Sequence, residues 1–359
     1  MKSHASTLRD FTPLRDFNPT LRDFNLTRRV WLISALAILV GIGGAALAVI
    51  LLRAIALVTN LFYYHRWSLA MVGPAGSPLG YWMVLIPIVG GIIVGIMARY
   101  GSDKIRGHGI PEAIEAILLN GARVEPRVAV LKPISAAIAI GTGGPFGAEG
   151  PIIMTGGAFG SLLAQWVKLT DAERTTLLVA GAAAGMSATF AAPFAAVLLA
   201  VELLLFEWRP RSLIPVAFAS VTAAVLRVIW LGAGPLFPLS TTAIPGGVRF
   251  VLLAAILGVI VGLAAAALSR MMYGFEDLFG KLPVHWMWWP AIGGLVVGIG
   301  GLIFPQALGV GYDTIGTLLK GDVPRSTMIG ILLVKSVIWV VALSSGTSGG
   351  VLAPLLMMG

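Results

Sequence analysis

Cysteine is absent from the 359 residues, which excludes disulfides, thiolate catalysis and thiolate metal sites. Charge is scarce: Asp, Glu, Lys and Arg make up 11% of the chain against 57% hydrophobic residues, and the mean hydropathy is +0.92. That balance excludes an ordinary soluble protein. The four histidines, His4, His65, His108 and His285, show no metal-ligand spacing, so neither a metal nor a cofactor is expected. Alternating ten-residue segments are missing too, which argues against a membrane β-barrel. The net charge of +9 has no dense basic face, so nucleic acid is not an expected partner; positive-inside loops account for it better. These exclusions leave an all-α, polytopic helical bundle embedded in a lipid bilayer.

Apolar runs cover residues 30–58, 79–99, 128–140, 175–190, 193–206, 213–231, 250–272, 286–304 and 327–343, and another follows Pro151. Residues 1–29 carry Leu-Arg-Asp-Phe three times, from Leu8, Leu14 and Leu21, with Pro13 and Pro19 between them. They read as a cytoplasmic or interfacial arm, whose arginines keep this end inside. No small-residue cleavage site follows closely, so the first run is not read as a signal peptide. The expected location is the cell's inner or plasma membrane, with many spans. Residues 30–359 are expected to form one transport domain rather than separate units.

The most informative stretch runs from Gly141 to Gly157, where a single carboxylate, Glu149, stands among glycines ahead of Pro151. Glycine lets backbone approach a ligand closely, and proline suits a first helical turn. A helix opened this way aims free N–H groups and its positive dipole end at the loop, which makes an anion site. Glu149 then acts as a tethered anion that occupies the site until it is displaced or protonated. The bland alternative is that the glycines only permit close packing; an intramembrane carboxylate weighs against it. A second glycine loop, 101–111, also ends in proline and opens a helix. Its Lys104 and Arg106 either draw anions or flank a span as positive-inside residues. A third such loop lies within 344–359.

These loops belong to a repeat. At an offset of 203 residues, nine identities align: Pro87 with Pro290, Gly90 with Gly293, Gly91 with Gly294, Gly95 with Gly298, Lys132 with Lys335, Gly143 with Gly346, Gly147 with Gly350, Pro151 with Pro354 and Gly156 with Gly359. A one-residue slip brings Gly107-His-Gly109 onto Gly309-Val-Gly311. Two halves broken at matching places are the sequence mark of a transporter whose site lies between its repeats. The first half covers about 30–232 and the second about 247–359; the latter stops at the equivalent of Gly156, so the chain reads as a partial copy of a two-half protein.

Gly107-His-Gly-Ile-Pro-Glu112, Gly147-Ala-Glu-Gly-Pro151 and Gly349-Gly-Val-Leu-Ala-Pro354 resemble, in order, the three signatures of the CLC chloride channels and proton-coupled chloride exchangers. Lys132 and the segment Gly181-Ala-Ala-Ala-Gly-Met-Ser-Ala-Thr-Phe-Ala-Ala-Pro193 match the same family, and the resemblance covers roughly 30–359. It implies an inverted-repeat bundle with broken helices, incomplete at its C-terminus, one pore per subunit, a homodimer, and chloride or similar small monovalent anions as cargo. By the same resemblance Glu149 is the gate. Gly147, Ala148 and Gly150 around it, with Val351 and Leu352, line the anion path. Gly107, His108, Gly109, Ile110 and Pro111 form the inner wall of the central site.

Three departures from the family pattern matter. His108 stands where the family often has serine, and either donates an N–H to the anion or merely packs. Leu203 stands where exchangers carry an inner proton glutamate, which favours channel-like passage over proton-coupled exchange; Glu202, or Glu207 one helical turn beyond, would be the substitutes on a proton path. The family's pore tyrosine lies beyond the aligned region. Two rival functions remain. A coupled organic-anion transporter would use the same broken helices. An enzyme would have to rest on Gly346-Thr-Ser348-Gly-Gly350, which fits G-x-S-x-G but lacks the strand context and the Asp and His partners, so no enzymatic activity is expected.

Overall fold

The structure is a computed structural model that describes residues 28–238, 247–321 and 323–359. The expected N-terminal arm therefore lies outside the described residues up to position 27. Arg28 and Arg29, expected in that arm, belong instead to the first helix.

Among the described residues the fold is all-helical. The first half comprises α1 (Arg28–Tyr64), α2 (Leu85–Tyr100), α3 (Ile110–Leu119), α4 (Pro126–Gly141), α5 (Glu149–Trp166), α6 (Asp171–Phe190), α7 (Pro193–Ala200) and α8 (Pro210–Leu231). The second comprises α9 (Val248–Gly280), α10 (Trp289–Ile303), α11 (Tyr312–Lys320), α12 (Arg325–Ser344) and α13 (Leu352–Met358). Six segments, on α1, α2, α8, α9, α10 and α12, are long and apolar enough to cross a membrane. The chain is a multi-pass membrane protein. Alongside these spans stand short helices such as α3, α11 and α13, which begin after glycine loops.

The repeat in the sequence is a repeat in space. A Cβ built on Gly91 of α2 would lie 2.3 Å from the carbonyl oxygen of Pro290 on α10, and one on Gly294 would lie 2.3 Å from that of Pro87. Those four residues are two aligned pairs, so each half presents the same glycine to the same proline of the other. Lipid supplies no hydrophobic drive between helices, so association rests on such close backbone packing. The two halves meet again where Gly147 and Gly350, also an aligned pair, form an isolated antiparallel bridge. An antiparallel bridge between equivalent residues places a pseudo-two-fold axis between them.

Elsewhere the structure redraws the expected elements. The apolar run 193–206 is not one helix: α7 ends at Ala200, Val201–Leu205 forms a wider π-helical turn, and Phe206 is left-handed at φ 54°. The expected placement of Glu207 one helical turn beyond Leu203 therefore fails, because the helix has already ended. The first helix also outruns the apolar run 30–58, since α1 continues to Tyr64. The equivalents α1 and α9 also differ. The most apolar window of α1 is 50% buried, whereas that of α9 is not buried at all. Near its end α9 is fastened to α12 by Ser344, whose hydroxyl donates to the Met272 carbonyl at 3.0 Å.

Candidate anion-binding site

Two buried lysines shape the loops around the site. Lys132, fully buried on α4, donates to the carbonyls of Ile105, Arg106 and Gly107 at 2.9, 3.0 and 2.9 Å. Its repeat partner Lys335, fully buried on α12, donates to those of Ala307 and Gly309 at 2.9 and 2.8 Å. A buried ammonium costs several kcal/mol unless its protons are satisfied. Here loop carbonyls satisfy them, and the carbonyls are thereby turned towards the lysine in front of α3 and α11. Glu112 closes the first loop: it accepts from the Gly109 N–H at 2.7 Å and lies 3.9 Å from Lys132 Nζ. The Gly109 N–H, on the expected inner wall of the central site, is thus already engaged.

The three glycine signatures meet at Gly150. A Cβ there would lie 1.7 Å from the His108 carbonyl oxygen and 3.2 Å from Gly350 Cα, so only glycine fits the crossing. Gly109 combines a left-handed φ of 96° with a Cβ direction blocked 2.2 Å away by the Gly150 carbonyl. The bridge Gly147 N–H to Gly350 O at 2.9 Å, and Gly350 N–H to Gly147 O at 2.7 Å, ties the other two loops together. Around this knot four helices begin: α3 at Ile110, α5 at Glu149, α11 at Tyr312 and α13 at Leu352. Positive dipole ends and unpaired N–H groups therefore gather where the signatures cross.

Glu149 lies inside the knot. Its side chain is fully buried. Oε1 accepts a hydrogen bond from the Tyr312 hydroxyl at 3.2 Å. Oε2 rests against Gly147 and Gly350 and has no hydrogen-bond partner among the described residues. The backbone N–H groups of Glu149 and Ala353, and the positive charge of Lys335, also face the carboxylate. Tyr312 also lines a cavity of about 520 Å³ walled by Ile140, Thr189, Arg227, Gly309 and Asp313.

The remaining expected residues fall into place less evenly. Ala148 is buried behind Glu149, Val351 and Leu352 are half-buried at the start of α13, and Gly107 sits at φ 82° against Glu112. His108 reaches the knot through its backbone carbonyl, and its ring Nδ1 is buried with no hydrogen-bond partner among the described residues. The Pro111 side chain is exposed and turned away. Lys104 is paired with Glu125 at 2.5 Å, which raises the lysine above its ordinary pKa. Arg106 stacks on Trp286 and Trp289, 4.9 and 5.8 Å from the ring centroids. Neither the Glu202 nor the Glu207 side chain is brought to the knot by any contact: Glu202 is exposed, and Glu207 accepts from Ser212 Oγ at 2.6 Å and pairs with Arg209 and Arg211. Ser348 of the G-x-S-x-G match is fully buried. Among the described residues, no three His, Cys, Asp or Glu side chains gather as a metal site.

Sequence reasoning missed Tyr312 and Glu112. The slipped repeat did carry a signal for the first, because it sets Tyr312, immediately after Gly311, opposite Ile110, immediately after Gly109.

Known proteins resemble this chain in sequence and in fold. The family described as voltage gated chloride channel matches residues 89–359. The H(+)/Cl(-) exchange transporter ClcA of Salmonella paratyphi B is 30% identical over 288 residues, 77% of this chain and 59% of that protein. The ClcA of Salmonella newport matches to the same extent. The chain spans about three-fifths of the length of these relatives. Among solved structures, a slow cyanobacterial Cl-/H+ antiporter superposes with a TM-score of 0.76 at 22% identity, covering 93% of this chain and 78% of that one. A CLC-type fluoride/proton antiporter gives 0.77 at 20% identity, covering 93% and 81%.

Proposed function

The chain belongs to the voltage gated chloride channel family, and from that premise we propose that it passes chloride or another small monovalent anion across a membrane, with Glu149 as the gate. One observation carries the reading: a fully buried carboxylate stands where the glycine loops of both halves cross, one of its oxygens without a hydrogen-bond partner among the described residues. An uncompensated anion inside a membrane protein is costly. The helix N-termini that stabilise it suit a free anion equally well. Carboxylate and anion then compete for one place, and protonation or outward swing of Glu149 vacates it. No covalent step is needed, so the protein is a transporter rather than an enzyme. The relatives named as H(+)/Cl(-) exchangers and the fold neighbour that moves fluoride support a small inorganic cargo over an organic acid.

Passage is proposed to be uncoupled from protons, because Leu203 offers no titratable atom and Glu202 and Glu207 are engaged elsewhere or exposed. The relatives' names favour the exchanger reading instead, and the two are separated by the last experiment below. A homodimer in the plasma membrane with its N-terminus inside completes the proposal. The gate is tested by reconstituting the protein expressed from its gene into liposomes and measuring chloride efflux between about pH 4.5 and 7.5. Wild-type efflux is expected to rise in acid, and Glu149→Gln to be fast throughout. A Gln variant that tracks the wild type at every pH would assign Glu149 to packing.

A further inference from the structure

We propose that the Tyr312 hydroxyl is a latch that holds the Glu149 carboxylate in the anion site, so that opening requires this hydrogen bond to break. The inference rests on the gate reading above and adds a residue on the opposite half of the repeat. Tyr312 opens α11, its ring meets Phe237 edge-on at 6.2 Å, and it lines the 520 Å³ cavity. Among the described residues its hydroxyl makes a single hydrogen bond, to Glu149 Oε1. The phenol therefore stands between the cavity and the buried carboxylate. The repeat isolates the chemistry: the first half has Ile110 at the matching position, and the second has Leu352 where the first has Glu149. At these two positions the halves depart from symmetry, and the two departures touch.

A phenol O–H bonded to a carboxylate is about twice as strong as one bonded to a neutral carboxyl group. The bond thus favours the charged, site-occupying form of Glu149 and weakens on protonation. The charged groups around the carboxylate do not duplicate this role. Lys335 faces it and is committed to the carbonyls of Ala307 and Gly309. On the loop and helix side, Lys132 and Glu112 serve the 105–109 loop. His108 approaches through its carbonyl, and the Tyr63 hydroxyl donates to Thr142 O at 3.0 Å.

Tyr312→Phe keeps the ring and removes only the donor. In the same proteoliposomes, its half-activating pH is expected to move upward by about half to one unit, a roughly three- to tenfold lower proton concentration. In a Glu149→Gln background the substitution should change efflux less than about twofold, because the latch has already lost its charged acceptor. Incorporating 3-fluorotyrosine at position 312 strengthens the donor without altering the fold and should move the profile the opposite way. A Phe variant whose profile superimposes on the wild type overturns the latch while leaving the gate intact. An equal change in both backgrounds also overturns it, as the mark of a merely structural effect. If Glu149→Gln itself keeps the wild-type acid dependence, the gate reading fails and the latch fails with it.

Discussion

Gly147 and Gly350 exchange both of their backbone hydrogen bonds, at 2.9 and 2.7 Å, and they occupy the same position in the two halves of the repeat. A residue that bonds its own symmetry equivalent lies on the axis between the halves. The loop carrying Glu149 is thereby fixed to the loop that opens α13, and neither half can build the site alone. Three consequences can be measured.

The crossing at Gly150 should tolerate no side chain. Glycine to alanine there drives a methyl to 1.7 Å from the His108 carbonyl, and backbone cannot step aside as a flexible side chain would. Overpacking costs about 1–3 kcal/mol and occasionally more, and a contact with backbone belongs at the upper end. The expected result for Gly150→Ala is a Tm in detergent lower by at least about 5 °C, together with loss of anion flux. Gly262→Ala on α9, where nothing among the described residues lies within 4 Å, is the control and should leave both unchanged. Equal Tm values for the two variants would mean that the loops are free to separate.

The paired lysines should differ in cost. Methionine at either position removes a buried charge but leaves loop carbonyls without donors, at about 1–3 kcal/mol for each. Lys132 serves three carbonyls and Lys335 two. Lys132→Met is therefore expected to lower the Tm more than Lys335→Met, and both should fall below the wild type. Thermal unfolding of the three proteins side by side checks the order; the reverse order would show that carbonyl satisfaction does not set the cost.

Much of this arrangement was legible in the sequence because glycine, proline and intramembrane charge each have few physical uses. The offset that aligned Gly91 with Gly294 and Lys132 with Lys335 came from residue identity, and the structure turns it into reciprocal contacts. The gathering of Gly109, Gly150 and Gly350 followed from three loops that each open a helix. What stayed hidden were contacts between side chains distant in sequence. Tyr312 and Glu149 are 163 residues apart, and no local pattern tells a tyrosine that bonds a carboxylate from one that packs. The left-handed turn at Phe206 was hidden for a different reason. An apolar run reads as one helix, and nothing in its hydrophobicity announces that α7 widens and stops before Glu207.

That break bears on proton coupling. A proton crossing a membrane interior needs titratable groups or ordered water, since an aliphatic side chain neither binds nor relays one. Leu203 is half-buried and packs against the core, so it offers no inner carrier at the position where the family's exchangers have one. Glu202 precedes it by one residue in the same π-helical turn and is exposed, so the two side chains face different surroundings. Glu207 lies past the left-handed Phe206 and is held by Ser212, Arg209 and Arg211. Drawing Glu207 onto a proton route would require breaking those bonds for each proton. The expected outcome is a reversal potential, in reconstituted protein under opposed chloride and proton gradients, that follows chloride alone. A reversal potential that moves with the proton gradient would overturn uncoupled passage and favour exchange. In that case Glu202→Gln and Glu207→Gln identify the carrier: the substitution that restores the chloride value marks the carboxylate that had been moving the proton.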